Sequence, residues 1–119
     1  MPKIQIGNAM VDAADRGWFV GSFIDEKLGL QHSDEVEMKW SVQPAGSERS
    51  EWVVGETRTA ICLLISGKIE FEFRDRVVQL CSPGDFVMWS EGQDHKWRKL
   101  EDTTTLTVRW PSAVQRTKG

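Results

Sequence analysis

The chain has 119 residues, with 15 basic and 18 acidic side chains for a formal net charge of −3, and 39% of its residues are hydrophobic. These values predict one soluble domain over residues 1–119 with a single core, and they leave no basic stripe for a phosphate backbone, so nucleic acid is excluded as an expected partner. No apolar run approaches the roughly 20 residues that span a bilayer, and the N-terminal stretch lacks a charged-then-apolar signal segment; the expectation is a cytoplasmic protein with no membrane partner. Cys62 and Cys81 lie far apart without a CxxC partner, a pattern that predicts buried free thiols and neither a disulfide framework nor a thiolate zinc site.

In chain order, residues 1–17 read as an arm with at most one helical turn between Asn8 and Ala14. Residues 18–23 are aromatic and branched and predict a strand; residues 28–34 predict a loop. Glu37, Lys39, Ser41 and Gln43 then alternate with Val36, Met38, Trp40 and Val42, the clearest half-buried strand in the chain, and the alternation is taken to turn Trp40 toward the interior. Residues 44–47 break it. The charged patch 48–51 leads into Trp52, Val53 and Val54 with a turn at Gly55, and residues 59–65 predict a buried strand. Ser66-Gly67 marks a tight reversal, after which Ile69, Phe71 and Phe73 alternate with charged neighbours. A strand over 77–81 follows.

Residues 83–97 carry the most organisation. Pro83 fixes φ and Gly84 can take the positive φ that a type II turn requires next. Residues 86–89 are apolar on both faces and predict a strand, residues 90–94 a second reversal, and His95 and Trp97 emerge on one face of the strand that leaves it, so the stretch reads as a hairpin. The last strand alternates Leu106, Val108 and Trp110 with Thr105, Thr107 and Arg109, and Pro111 ends it because proline cannot donate to a ladder; residues 116–119 read as a free tail. Eight or more short strands with no long helix predict an all-β sandwich or closed double-sheet barrel, and a jelly roll in particular.

The spacing of Gly84, Ser90, Gly92 and His95 resembles the second signature of the cupin superfamily, with Ser90 where the family has proline. The resemblance covers residues 36–110 and implies a double-stranded β-helix, a jelly-roll barrel. The family's first signature carries two histidines and a glutamate upstream of a glycine. Counted back from Gly67, the glutamate position falls on Ala60, and the histidine positions fall on Val54 and Glu56 or, with the longer spacer, on Val53 and Gly55. The metal centre that the family implies, three histidines and a glutamate, is therefore reduced here to His95 and at best Glu56. A cofactor is not expected; any divalent metal is expected to bind weakly through those two, with Gln43 and Cys62 as further donors if the barrel brings them close.

The expected function is that of a cupin-like protein binding a small polar or carboxylate-bearing molecule in its barrel, through His95, Trp97, Trp40, Glu56, Gln43, Arg58 and Trp110. Arg58 and Arg109 are the residues able to grip a carboxylate in a two-bond fork. A metal-dependent enzyme with an unusual ligand set, a dioxygenase, isomerase or lyase, is the alternative. Sheet edges left by such a fold point to a homodimer, in which residues 18–23 cover the partner's edge.

Overall fold

The computed structural model of the protein describes residues 4–12 and 16–113. The tail expected at 116–119 lies outside the described residues, as do residues 1–3 and 13–15 of the arm. A short helix, α1 (Ala9–Asp12), and strand β1 (Trp18–Val20) precede a 3-10 helix (Glu26–Gln31) where the sequence predicts only a loop. Asp25 caps that helix by accepting from the Lys27 backbone N–H over 2.9 Å, the task that aspartate performs at helix starts. The remaining strands are β2 (Glu37–Gln43), β3 (Glu48–Val53), β4 (Thr59–Ser66), β5 (Ile69–Phe73), β6 (Val77–Leu80), β7 (Phe86–Trp89), β8 (His95–Lys99) and β9 (Thr103–Trp110). The charged patch 48–51 is therefore itself strand, part of β3. Among the described residues no helix is long and apolar enough to cross a membrane.

The strands form two sheets, β1-β2-β9-β4-β7 and β3-β8-β5-β6, and all pairings between named strands are antiparallel. This is a jelly-roll sandwich. It corrects two local expectations: Ser66-Gly67 and residues 90–94 do not close hairpins. β4 pairs with β7 and β9, while β8 pairs with β3 and β5, so each of these turns carries the chain across the gap of about 10 Å that separates packed sheets. β1 pairs with the chain's own β2, Trp18 opposite Lys39.

The Pro83 turn keeps its expected geometry, with Gly84 at φ +95°. Its stiffness comes from Asp85, whose carboxylate accepts from the backbone N–H groups of Cys81 and Ser82 at 3.0 Å each. Gly84 N–H donates to Leu64 O over 2.9 Å and Leu64 N–H to Asp85 O over 2.8 Å. The turn is thus tied to β4 and starts β7 in register. Cys62 is buried, as expected, but Cys81, at the outer end of this turn, is exposed.

The apolar core lies between the sheets: Ala60, Cys62 and Leu64 from β4, Ile69, Phe71 and Phe73 from β5, Leu80 from β6 and Trp89 from β7. Each large side chain buried there contributes about 1.5–3 kcal/mol of transfer free energy. β2 and β9 behave differently. Glu37 is 1% exposed, and Ser41, Thr103 and Thr105 are also buried, whereas Val42 is 57% exposed. The period of two in β2 is as predicted, but its sense is inverted: Glu37, Lys39, Ser41 and Gln43 face inward, and Trp40 shares the outer face with Met38 and Val42, opposite Leu106 of β9.

Candidate functional site

Lys39, Ser41 and Gln43 of β2 and Thr105, Thr107 and Arg109 of β9 border a cavity of about 810 Å³ that opens between the two sheets, within the size range of small-molecule sites. β8 supplies its opposite wall. His95, Trp97 and Lys99 stand two residues apart on the same face of that strand, and all three line the cavity.

One end is closed by a charge cluster. Glu37 Oε1 accepts from Arg58 Nη1 over 2.7 Å and from Ser112 Oγ over 3.1 Å, and Glu37 Oε2 accepts from Arg109 Nε over 2.8 Å and also from Arg109 Nη2. Glu56 receives Arg58 in a two-bond fork, Nε to Oε1 at 2.6 Å and Nη2 to Oε2 at 2.8 Å. Arg109 Nη1 lies 3.7 Å from Glu56 Oε2, and its guanidinium covers the Trp18 ring at 4.3 Å. Burial opposes ionisation of Glu56, but the hydrogen bonds and charge of Arg58, with the charge of Arg109, hold its carboxyl below the usual range. The same bond to Glu56 raises Arg58, whereas burial lowers Arg109 against the pull of Glu37.

His95 sits beside this cluster, its ring 4.7 Å from that of Trp89. Its Nδ1 is 3.1 Å from Gln93 O; a carbonyl only accepts, so Nδ1 carries the hydrogen and Nε2 of the neutral ring is the acceptor. Burial lowers the imidazole pKa, with the Gln93 bond and Glu56 opposing it. At the other end, Lys99 is 4% exposed with its ammonium 4.4 Å from the Trp97 ring centroid. Burial, reinforced by the positive charge of Lys39, lowers its pKa to about 8. Burial also raises the thiol of Cys62, keeping it neutral. Trp89 Nε1 and Gln43 Oε1, a donor and an acceptor on side chains of the same lining, are buried without a hydrogen-bond partner.

The donors do not fit the metal centre that the resemblance implies. Of the positions that the first signature marks, Val53 lies opposite His95 across β3 and β8 and offers no donor, Val54 is exposed, and Ala60 is buried in the core. Both oxygens of Glu56 are taken by Arg58. Among the described residues no three His, Cys, Asp or Glu side chains are grouped to hold an ion.

Six of the side chains singled out in the sequence border the cavity: His95, Trp97, Trp40, Glu56, Gln43 and Arg58; so do Arg109 and Cys62. Trp40 does so from a position opposite Leu106, on the other face of β2 from Lys39, Ser41 and Gln43. Trp110 is exposed on the outer face and is not part of the lining. The carboxylates that Arg58 and Arg109 grip are the protein's own. Glu37, Lys39, Arg49 and Lys99 were not anticipated. The period of two that joined His95 to Trp97 reaches Lys99 when carried one step further, and the polar positions of β2 were the other available signal.

No family model matches the sequence, and no curated protein matches it either. Solved structures do. KdgF from Halomonas sp. superposes with a TM-score of 0.60 at 19% identity, over 73% of this chain and 77% of that one. A cupin superfamily protein from Desulfitobacterium hafniense gives 0.59 at 21% identity, over 68% and 72%. A protein with a double-stranded β-helix domain from Klebsiella pneumoniae gives 0.59 at 20% identity, over 70% and 73%. Identities this low speak for architecture, and the architecture agrees with the two-sheet topology and the turn signature: the chain has the fold of a small cupin.

Proposed function

We propose that the barrel binds a small carboxylate-bearing molecule. The observation that carries this reading is the charge of the lining. Once Arg58 and Arg109 are set against Glu37 and Glu56, the wall still has Arg49 and the buried Lys99 against one further carboxylate, Glu48, in a chain whose overall charge is −3. Trp97 gives the ligand an apolar face, and the buried indole N–H of Trp89 an added donor. His95 Nε2 reads the polar end of the ligand. Binding in this reading needs no resident metal, because the affinity comes from cations and indole groups.

A thermal-shift panel of small carboxylic acids and their amides, at matched ionic strength, tests it. The expected result is a higher melting temperature with at least one acid and not with its amide, lost in Arg49→Ala and Trp97→Ala. If no acid shifts the wild type, or if one tightly bound metal per chain survives dialysis, the reading is wrong.

The protein acts in this reading as a cytoplasmic homodimer. Two free cysteines suit a reducing compartment. The outer face of the five-stranded sheet exposes Val42, Phe86, Met88 and Trp110, apolar side chains of the kind that a second copy covers. Sedimentation of Phe86→Glu is expected to give the 13.6 kDa monomer where the wild type gives twice that mass; a monomeric wild type at micromolar concentration overturns the dimer.

A further inference from the structure

We propose that Lys99 is a nucleophilic amine that condenses, inside the barrel, with the carbonyl group of a small anionic oxo acid to form an imine. The proposal rests on the anion-binding reading and adds to it the chemistry of the ligand. Lysine is almost never fully buried unless paired, and Lys99 is buried at the cavity wall with an aromatic ring as its neighbour. Among the described residues the charged or titratable groups that act on it are Cys62 of β4 and Lys39 of β2, with no carboxylate. Arg49 and the carboxylate of Glu48, both of β3, line the same cavity, and β9 faces it with the hydroxyls of Thr105 and Thr107 and with Arg109.

Desolvation and a neighbouring cation are the two means by which proteins turn a lysine into a nucleophile, and both are present. With a pKa of about 8, on the order of a tenth of Lys99 is free amine at neutral pH, against less than about a thousandth for an ordinary lysine. The ammonium that remains in the majority attracts the carboxylate, so one residue serves both capture and reaction. In the step itself the amine nitrogen adds to the carbonyl carbon and its proton passes to the former carbonyl oxygen. That hydroxyl then leaves as water with the second proton of the amine nitrogen, whose lone pair closes the C=N bond. The atoms balance as amine plus carbonyl giving imine plus water, with no oxidant or reductant.

Reductive trapping tests the proposal. The wild type is incubated with pyruvate or 2-oxoglutarate and sodium cyanoborohydride, digested, and the adduct mapped by mass spectrometry. Lys99 is expected to be labelled roughly tenfold or more faster than the half-exposed Lys68, with a rate that rises as pH approaches 8, and Lys99→Arg is expected to lose that labelling. Labelling of Lys99 no faster than that of Lys68 overturns the imine. Lactate, which has the carboxylate and no carbonyl, separates the two ideas. If lactate and pyruvate both raise the melting temperature while Lys99 stays unlabelled, anion binding stands and the imine falls; if neither acid shifts it and Lys99 stays unlabelled, both fall.

Discussion

Glu37 and Arg109 face each other across the β2 and β9 ladder, and Arg109 Nε donates to Glu37 Oε2 over 2.8 Å. The carboxylate is 1% exposed and also anchors Arg58, so its removal leaves two guanidinium groups facing each other in a desolvated place. Glu37→Ala is expected to cost about 3–5 kcal/mol, and Glu37→Gln, which keeps the shape and some hydrogen bonds, less. Urea midpoints at unchanged slope measure this; a loss below about 1 kcal/mol for Glu37→Ala would mean that the cluster is not structural.

Glu56 governs the acid limb. Burial alone would raise its pKa, but Arg58 outweighs it and the carboxyl is lowered from 4.5. A lowered folded value contributes stability that is present above the unfolded pKa and lost as pH falls through the folded one. The wild type is therefore expected to lose stability below pH 4.5 more steeply than Glu56→Gln, as read from melting temperatures across an acid series. Parallel curves would remove Glu56 from that role.

Lys99 shifts downward too, from 10.5 to about 8. The sign follows the same rule: stability from this group is present above 10.5 and lost as pH falls toward 8. At neutral pH the buried ammonium works against folding, and Lys99→Met is expected to be more stable than the wild type by about 1–3 kcal/mol. Denaturant unfolding should show that gap narrowing as pH rises from 8 toward 10.5. A less stable Lys99→Met at neutral pH contradicts the placement of this residue.

Burial depresses the imidazole of His95 below 6.5, so its positive charge appears only on the acid side of that value. Affinity for a carboxylate is expected to increase as pH falls below 6.5, and His95→Gln to be flat over that interval. Isothermal titration at several pH values reads this directly. A flat wild-type profile takes His95 out of ligand binding.

Two glycines at positive φ should differ in their sensitivity. Nothing lies near a Cβ added at Gly84 (φ +95°), whereas one at Gly67 (φ +93°) would overlap the Asp102 carbonyl oxygen and the Thr103 side chain. Gly84→Ala is expected to lose about 1–2 kcal/mol from backbone strain alone, and Gly67→Ala clearly more, since backbone must move. Equal melting temperatures for the two variants would defeat the argument.

Much of the fold was legible because it rests on local rules. Positive φ at Gly84 follows from the Pro-Gly turn, the limits of the later strands follow from alternation and turn residues, and the shared face of His95 and Trp97 follows from a period of two that also reaches Lys99; the first and third strands escaped that reading, since β1 stops at Val20, short of the expected 23, and β3 begins at Glu48 inside the charged patch. Strand partners were not legible: the same turn residues serve a hairpin or a crossing between sheets, and β7 turned out to pair with β4 and not β8.

The sense of β2 lay beyond local reading as well. Alternation of Val36, Met38, Trp40 and Val42 with Glu37, Lys39, Ser41 and Gln43 specifies two faces by itself, but which face turns inward depends on what the rest of the chain provides. Glu37 can be buried only because Arg109, 72 residues away, and Arg58, 21 residues away, converge on it. The sequence alone determined that there would be a jelly roll with His95 and Trp97 on one face. Tertiary structure alone decided that its lumen would be polar and positively charged, because burying charge requires partners that only the closed barrel brings within hydrogen-bonding distance.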